Sequence, residues 1–574
     1  MSELLDSCFR DVNLTEEVER VDSIPNVNRN YVECWKLSTE IFVSDILTPI
    51  VFYIGFGLDF PYSMPSFYFP SLQFGYLPHV ESVGGKLCLF EDGTSFDTKD
   101  ASIIILFCIK KAKDLIKEGA EKQNTADFLS EITSYWTRRY NNEPEIKETF
   151  FINGSIPTAT SILNAISYAV PVLGLKRKDT IVNTLLYSSS EEPFDSYLSN
   201  NFESKTEKVL FVSSFHADQA APYNMNLTSF LNHLSDKEEQ KKVKKFINVH
   251  QGGRIFFKLT ENRIGGIEIK HVELRRNGFR NGSIMTCDVY QNFEKKTSNI
   301  KRLFGYLYSK ERIAERTFGE LMPEQKFLVA GLGSVGSNLV HFLNGNNNVS
   351  FTLVDNEMLT VDNIGRHLLG YRYVNQFKAC ALIDYLCSIR PEQKNDFGFT
   401  SIQEYIGGNF QKLSEYTTLF LCTGDTMTEE YFINAINRGD ITIPVFIIWL
   451  EPFGAAGHMV YINPYSLRRP LSINDAQTKL YVHNVINEAE YKNKDNHFTK
   501  RDAGCNGLYA LYSDNDVLLM MSVFYPIINR LLDEPKESTC YRWVGNIRRI
   551  IQKGININIA PDEISQGTIQ DFPL

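Results

Sequence analysis

At residues 326–336 the chain reads Lys326-Phe327-Leu328-Val329-Ala330-Gly331-Leu332-Gly333-Ser334-Val335-Gly336, a short apolar run opening into three spaced glycines. The run has the length of a buried strand, and Ser337 to Leu343 continues as a helix. Val349 to Val354 is the next strand. An acid, Asp355, then follows about twenty residues after the glycines, the full context in which G-x-G-x-x-G carries weight. Later strands are expected at Thr417 to Cys422 and Ile443 to Leu450. Strands alternating with helices predict a mostly parallel sheet covered by helices. Gly331, Gly333 and Gly336 would let the backbone approach a phosphate at a helix N-terminus, where N–H groups point outward. Asp355 would accept hydrogen bonds from ribose hydroxyls. A nicotinamide dehydrogenase fits equally well up to this point.

The next residues tilt the balance. Asn363, Arg366 and Lys378 add amide and cationic donors suited to a triphosphate, and Asp425 follows a strand at the ligand edge of the sheet. A carboxylate there can hold Mg²⁺ against phosphates, which hydride transfer does not require. Singly, Arg366 and Lys378 also fit solvated helix charges, and Asp425 fits a helix N-cap ahead of Thr428-Glu429-Glu430.

Val354-Asp355-Asn356-Glu357, Asp362-Asn363-Ile364-Gly365-Arg366-His367 and Lys378-Ala379 resemble the ThiF-type adenylation domain. Ubiquitin-activating enzymes and the bacterial sulfur-carrier activators share that domain. The resemblance covers roughly residues 316–560 and implies ATP and Mg²⁺ as cofactors. Asp355 would then bind ribose, Asn363, Arg366 and Lys378 the phosphates, and Asp425 the metal. His367 stands where the family usually has Gln, Asn375 where it often has Gly, and Thr426 where Asn often follows the Asp. None of these departures removes a charge.

Two cysteines complete the pattern. Cys505 sits in Arg501-Asp502-Ala503-Gly504-Cys505-Asn506-Gly507, among polar neighbours, with Lys500 and Arg501 able to favour its thiolate. It looks like the loop cysteine that attacks the acyl-adenylate in ubiquitin-activating enzymes. Cys88, in Gly84-Gly85-Lys86-Leu87-Cys88-Leu89, reads equally as a core thiol on a strand. The preceding chain, from Pro61 to Pro65 through Pro78-His79, resembles the ubiquitin-conjugating fold, where a proline-rich run leads through a His-Pro-Asn turn to the acceptor cysteine. Here the order is Pro78-His79 and no Asn follows. His79 stands in as the candidate for activating the incoming amine, since imidazole titrates near neutral pH.

At 574 residues the chain should hold three or four domains. We place a ubiquitin-conjugating-like α+β domain at 1–143, a linker or scaffold domain at 144–315 and a Rossmann-like adenylation domain at 316–574. The polar run Tyr140 to Glu145 marks the first boundary. The fold class is α/β and α+β, multidomain. The middle region shows no catalytic constellation, since His216, His233, His250 and His271 lack ligand spacing. A net charge of -10 argues against a general nucleic-acid surface. The start carries no basic-then-apolar signal, and the apolar stretch Val517 to Ile528 falls short of the ~20 residues of a membrane span. A cytoplasmic protein is expected.

This order of domains resembles the fused activating and conjugating enzymes of bacterial antiphage CBASS operons. It implies activation of the C-terminal carboxylate of a cyclic-nucleotide synthase and its conjugation to a target amine. A ubiquitin-like modifier as substrate, or a sulfur-carrier activator with a docking domain, are the alternatives. The family usually pairs as homodimers, with Arg312 or Arg316 a candidate to reach across to the other copy.

Overall fold

The first sheet is built on a hairpin. Strands β1 (Glu17–Val21), β2 (Glu33–Val43), β3 (Ile46–Phe56) and β4 (Ser66–Tyr68) follow one another in an antiparallel meander. Val43 pairs with Ile46, so Ser44-Asp45 alone makes the β2–β3 turn. Both residues have positive φ, 48° and 64°, the backbone that matches the twist of the flanking strands. In this computed structural model the described residues are 2–11, 17–27, 31–81, 84–90, 94, 97, 100–137, 148–171, 180–188, 193–217, 226–270, 286–292, 300–472, 483–492, 499–501, 508–559 and 565–574. The expected boundary at 140–145 lies outside them.

Helix Ala101–Ala120 covers the sheet, its first turn capped by the Asp100 carboxylate. Its buried residues Ile104, Ile105, Cys108, Ala112 and Ile116 recur at three to four positions, the spacing that puts one face on the core. They meet Leu37, Phe52, Ile54 and Phe67 of the sheet. Cys108 is core, as its apolar neighbours imply. Between residues 61 and 79 only Ser66–Tyr68 pairs as strand, in keeping with the prolines.

The middle region is a closed barrel, which the sequence did not announce. Its strands are β5 (Glu148–Asn153), β6 (Ser161–Pro171), β7 (Thr180–Tyr187), β8 (Ser204–Val212), β9 (Gly253–Thr260), β10 (Arg263–Ile269) and β11 (Lys301–Tyr308), in the order β10-β11-β5-β7-β6-β8-β9. Phe150, Leu163, Leu186, Phe211, Phe256 and Leu303 belong to one core cluster of the barrel. Helix Ile132–Thr137 packs on the same barrel through Trp136, whose indole N–H donates to the Leu303 carbonyl at 2.7 Å. Among the described residues no group of three or more His, Cys, Asp or Glu could hold a metal ion; His271 lies outside them.

Contacts group the chain into two compact units, Met1–Ser190 with Phe202–Tyr308, and Glu191–Asn201 with Ser309–Leu574. The helix Pro193–Asn201, though it sits between two barrel strands in sequence, thus belongs to the second unit. That unit carries an eight-stranded sheet: β12 (Gln325–Ala330), β13 (Val349–Val354), β14 (Asp396–Gly398), β15 (Thr418–Leu421), β16 (Val445–Leu450), β17 (Ala456–Ile462), β20 (Thr539–Val544) and β21 (Ile569–Pro573). A separate two-stranded ribbon pairs β18 (Thr499–Arg501) with β19 (Leu508–Ala510). The order β14-β13-β12-β15-β16 is parallel, and β17, β20 and β21 extend it antiparallel. The chain leaves β12 to one side and returns to β15 on the other, and such a reversal opens a crevice at the strand C-termini.

The apolar stretch Val517 to Ile528 lies within helix Asp514–Asp533, buried against helix Ser334–Leu343 and the sheet through Val517, Met520, Met521 and Phe524. Among the described residues no helix is long and apolar enough to cross a membrane.

Candidate functional site

The crevice at the end of β12 is shaped by what glycine lacks. Gly331 has φ 82°, and a Cβ there would stand 2.6 Å from the Cys422 carbonyl carbon. A Cβ on Gly336 would lie 1.9 Å from the Gly331 oxygen, so the helix can approach the turn only without a side chain. A Cβ on Gly333 would meet nothing within 4 Å. Gly333 is the N-cap of helix Ser334–Leu343 and offers no side-chain cap. The first N–H groups of that helix therefore face a space that an anion suits.

That space is a cavity of about 960 Å³ whose walls include Ser334, Asn363, Arg366, Lys378 and Glu429. Lys378 is 4% exposed and begins helix Lys378–Ile389, where the helix dipole disfavours a cation. Its ammonium pairs with the Glu357 carboxylate. Arg366 donates from Nη1 to the Ala510 carbonyl at 2.7 Å and stands over the Tyr512 ring at 5.2 Å. Asn363 Oδ1 accepts from Thr360 N–H at 3.0 Å and so braces the turn that carries it.

Asp355 and Asp425 do not line the cavity. Asp355 Oδ2 accepts from Leu332 N–H at 2.6 Å and Oδ1 from Glu357 N–H at 2.8 Å. Burial pushes its pKa up. Asp425 caps helix Thr426–Asn437, taking the Thr428 hydroxyl at 2.6 Å and its N–H at 3.1 Å. The Thr428 hydroxyl, ahead of the backbone bonds, holds this carboxyl below the ordinary range. The cap reading of Asp425 therefore describes its contacts here.

Two side chains do more than their sequence positions suggested. His367 accepts the Leu369 N–H on Nδ1 at 3.0 Å, so its proton is on Nε2, which donates to the Leu332 carbonyl at 2.8 Å. It thereby ties the glycine turn to the segment bearing Asn363 and Arg366. Burial, with the Lys378 charge adding to it, pushes His367 down to about 4. Between the ordinary 6.5 and about 4 the unfolded chain binds a proton that the folded chain refuses. Stability therefore falls on acidification, by about 3 kcal/mol across that window. His367→Gln should flatten this acid limb in thermal melts between pH 7 and 4.5. His483, half-buried and also pushed down to about 4, first by burial and then by the Arg542 charge, adds its own share to the same limb.

Glu429 is the second. It is 2% exposed, lines the cavity, and its Oε2 has no hydrogen-bond partner among the described residues. Burial, then the Asp425 charge, raises it to about 8. Its spacing of four from Asp425 on one helix was readable in the sequence; its burial was not.

Cys505 lies outside the described residues, in the span between Arg501 and Leu508, which pair with each other in the β18–β19 ribbon. Arg366 holds the end of that ribbon through Ala510.

At the other thiol, Gly85 has φ 70° and a Cβ there would stand 2.1 Å from the Phe69 oxygen. This close turn sets Leu87 opposite Val80 and lets Cys88 N–H donate to the His79 carbonyl at 2.9 Å. Among the nine described cysteines Cys88 alone is exposed. His79 has φ 59°, rare for a residue with a side chain, and is held on three sides. Its Nε2 is 3.1 Å from Asp127, its Nδ1 3.0 Å from Glu131, and its N–H donates to the Tyr135 hydroxyl at 2.9 Å. Asp127, Glu131 and Tyr135 carry no motif of their own in the sequence; Asp127 opens helix Asp127–Ser130, Tyr135 lies in helix Ile132–Thr137, and Glu131 is the turn between them.

Residues 33–144 match the family described as prokaryotic E2 family B. The chain is thus a multidomain mixed α/β protein with an E2-like domain near its N-terminus. No curated protein matches it. Among solved structures it is similar to the E. coli tRNA N6-threonylcarbamoyladenosine dehydratase TcdA in complex with AMP. That likeness is 21% identical over 23% of this chain and 55% of TcdA, with TM-score 0.21. PaaA aligns at 10% identity over 71% of this chain and 98% of its own, with TM-score 0.31. E. coli MccB aligns at 9% identity over 43% and 62%, with TM-score 0.29. The chain thus spans little more than half the length of TcdA and MccB.

Proposed function

We propose that this chain activates the C-terminal carboxylate of a partner protein with ATP and passes the acyl group through Cys505 and Cys88 to a target amine. The observation that carries the reading is Cys88, the one exposed thiol among the described residues, inside an E2-like domain, on a chain that also holds the glycine-turn cavity.

In the first step a carboxylate oxygen of the partner attacks the α-phosphorus of ATP; the bond to the β-phosphate breaks and pyrophosphate leaves. The helix N-terminus at Gly333, with Lys378 and Arg366, offsets charge developing on the phosphates. Gly331 and Gly336 allow the close approach, Asn363 supplies an amide, and Asp355 receives the ribose. A divalent cation held at the Asp425 end would screen the phosphate oxygens. The Cys505 thiolate then attacks the acyl carbon and AMP leaves. Cys88 takes the acyl group by thiol exchange, returning Cys505 to a thiol. Last, the target amine attacks the thioester carbon, an amide forms and the Cys88 thiolate departs. His79, one ladder step from Cys88 and enclosed by Asp127 and Glu131, orders the turn beside the thioester. The amine's proton passes to this cluster. Thioester exchange is near balance at each transfer, so ATP cleavage drives the sequence.

The partner we favour is a CBASS cyclic-nucleotide synthase, in the cytoplasm and in antiviral defence, with the enzyme working as a homodimer. Arg312 or Arg316, on helix Lys310–Thr317, is the residue offered to the other copy. The divisions 1–143, 144–315 and 316–574 are kept as functional parts.

The test is a non-reducing gel of the full chain with the proteins of neighbouring genes, ATP and Mg²⁺. One partner should give an ATP-dependent, thiol-sensitive adduct, lost when its terminal residue is removed. AMP formation with no adduct on either cysteine would overturn the conjugation reading and leave a carrier activator.

A further inference from the structure

We propose that Glu429 is the side chain of this cavity that receives the divalent cation, with Asp425 at the rim of the same helical turn. This rests on the reading of the cavity as the nucleotide site. Nearly all buried polar atoms in folded proteins find a hydrogen-bond partner, and one left without costs of order 1–3 kcal/mol. Glu429 Oε2 has none among the described residues, although the residue is 2% exposed. Glu429 lines the cavity, so a ligand bound there can reach its carboxyl group.

The surroundings select the kind of ligand. A Cβ on Gly331 would touch Cys422, so the strand end that leads into helix Thr426–Asn437 abuts the glycine turn where phosphates would sit. Thr423, Gly424 and Thr426 line the same cavity. Glu429 stands one helical turn from the N-cap Asp425, and an ionised carboxylate on the cavity wall facing a polyphosphate is repelled unless a cation lies between. Mg²⁺ is commonly held by one or two carboxylates plus phosphate oxygens and water, so two protein ligands suffice. Asp425 accepts three hydrogen bonds, from the Met427 and Thr428 N–H groups and the Thr428 hydroxyl, whereas Glu429 Oε2 accepts none among the described residues.

The experiment measures Mn²⁺ binding directly, by the electron paramagnetic resonance signal of free Mn²⁺. The full chain is loaded with α,β-methylene ATP as wild type, Glu429→Gln, Glu429→Asp and Asp425→Asn. Binding of the same analogue in EDTA is measured beside it. Glu429→Gln should weaken Mn²⁺ about tenfold or more, a loss of one carboxylate ligand. Its metal-free nucleotide affinity should not fall, because the variant removes a carboxylate that repels phosphates when no cation is present. Glu429→Asp should fall between, and it serves if the Gln variant does not melt like wild type. Wild-type Mn²⁺ affinity in both Glu429 variants would overturn the assignment and leave the nucleotide site intact. Failure of the wild type to bind the analogue at all would overturn the nucleotide reading, and this inference with it.

Discussion

Cys505→Ala enzyme should cleave ATP to AMP on meeting its partner and yet gain no covalent adduct, whereas Cys88→Ala enzyme should gain an adduct on Cys505 and pass it no further. Both variants should lose conjugation to background. The reason the loss is complete is chemical supply. A substitute nucleophile must be a reachable thiolate. The other described cysteines are buried or half-buried, and burial pushes Cys108 and Cys540 up to about 12. None can stand in. Intact-mass measurement before and after hydroxylamine distinguishes a thioester from an amide and locates the stalled acyl group. An adduct of unchanged size on Cys505→Ala enzyme would remove Cys505 from the relay.

The second large effect is at Lys378. Its replacement by Ala should lower ATP–pyrophosphate exchange by about 10²–10³-fold, the scale for losing one preorganised charge at a reacting phosphate. Folding should change little, because Glu357, its ion-pair partner, keeps 69% of its side chain in water and can be resolvated. Unchanged melting with lost exchange therefore separates a chemical role from a structural one. Arg should not restore the activity. The site is 4% exposed, and a planar guanidinium has a different shape and reach from a compact ammonium.

Much of this site was legible because it depends on local order. A strand, a glycine turn and a helix follow from adjacent residues, so β12, helix Ser334–Leu343 and β13 fell within a few residues of expectation. Gly331 and Gly336 were readable for the same reason. What was hidden depends on distant pairings. The barrel joins β5 to β11 and β8 to β9 in parallel, and no short-range pattern records such partners. Asp127, Glu131 and Tyr135 gain meaning only when folding brings them to His79. The Asp425 position held both its readings in the sequence; only its bonds to Thr428 distinguish the resting contacts from a proposed metal role.

The passage of residues 191–201 into the second unit has a practical consequence for anyone who would split this chain. Severing the peptide bond between Tyr308 and Ser309 would not yield two self-sufficient halves. The N-terminal fragment would carry away the helix Pro193–Asn201, including Leu198, which is 1% exposed in the intact chain. The C-terminal fragment would lose Tyr197 of that helix, which lies beside Asp384, Cys387 and Arg372. Co-expressed halves should therefore associate by complementation, and a gene fission at this point would preserve rather than dissolve their partnership.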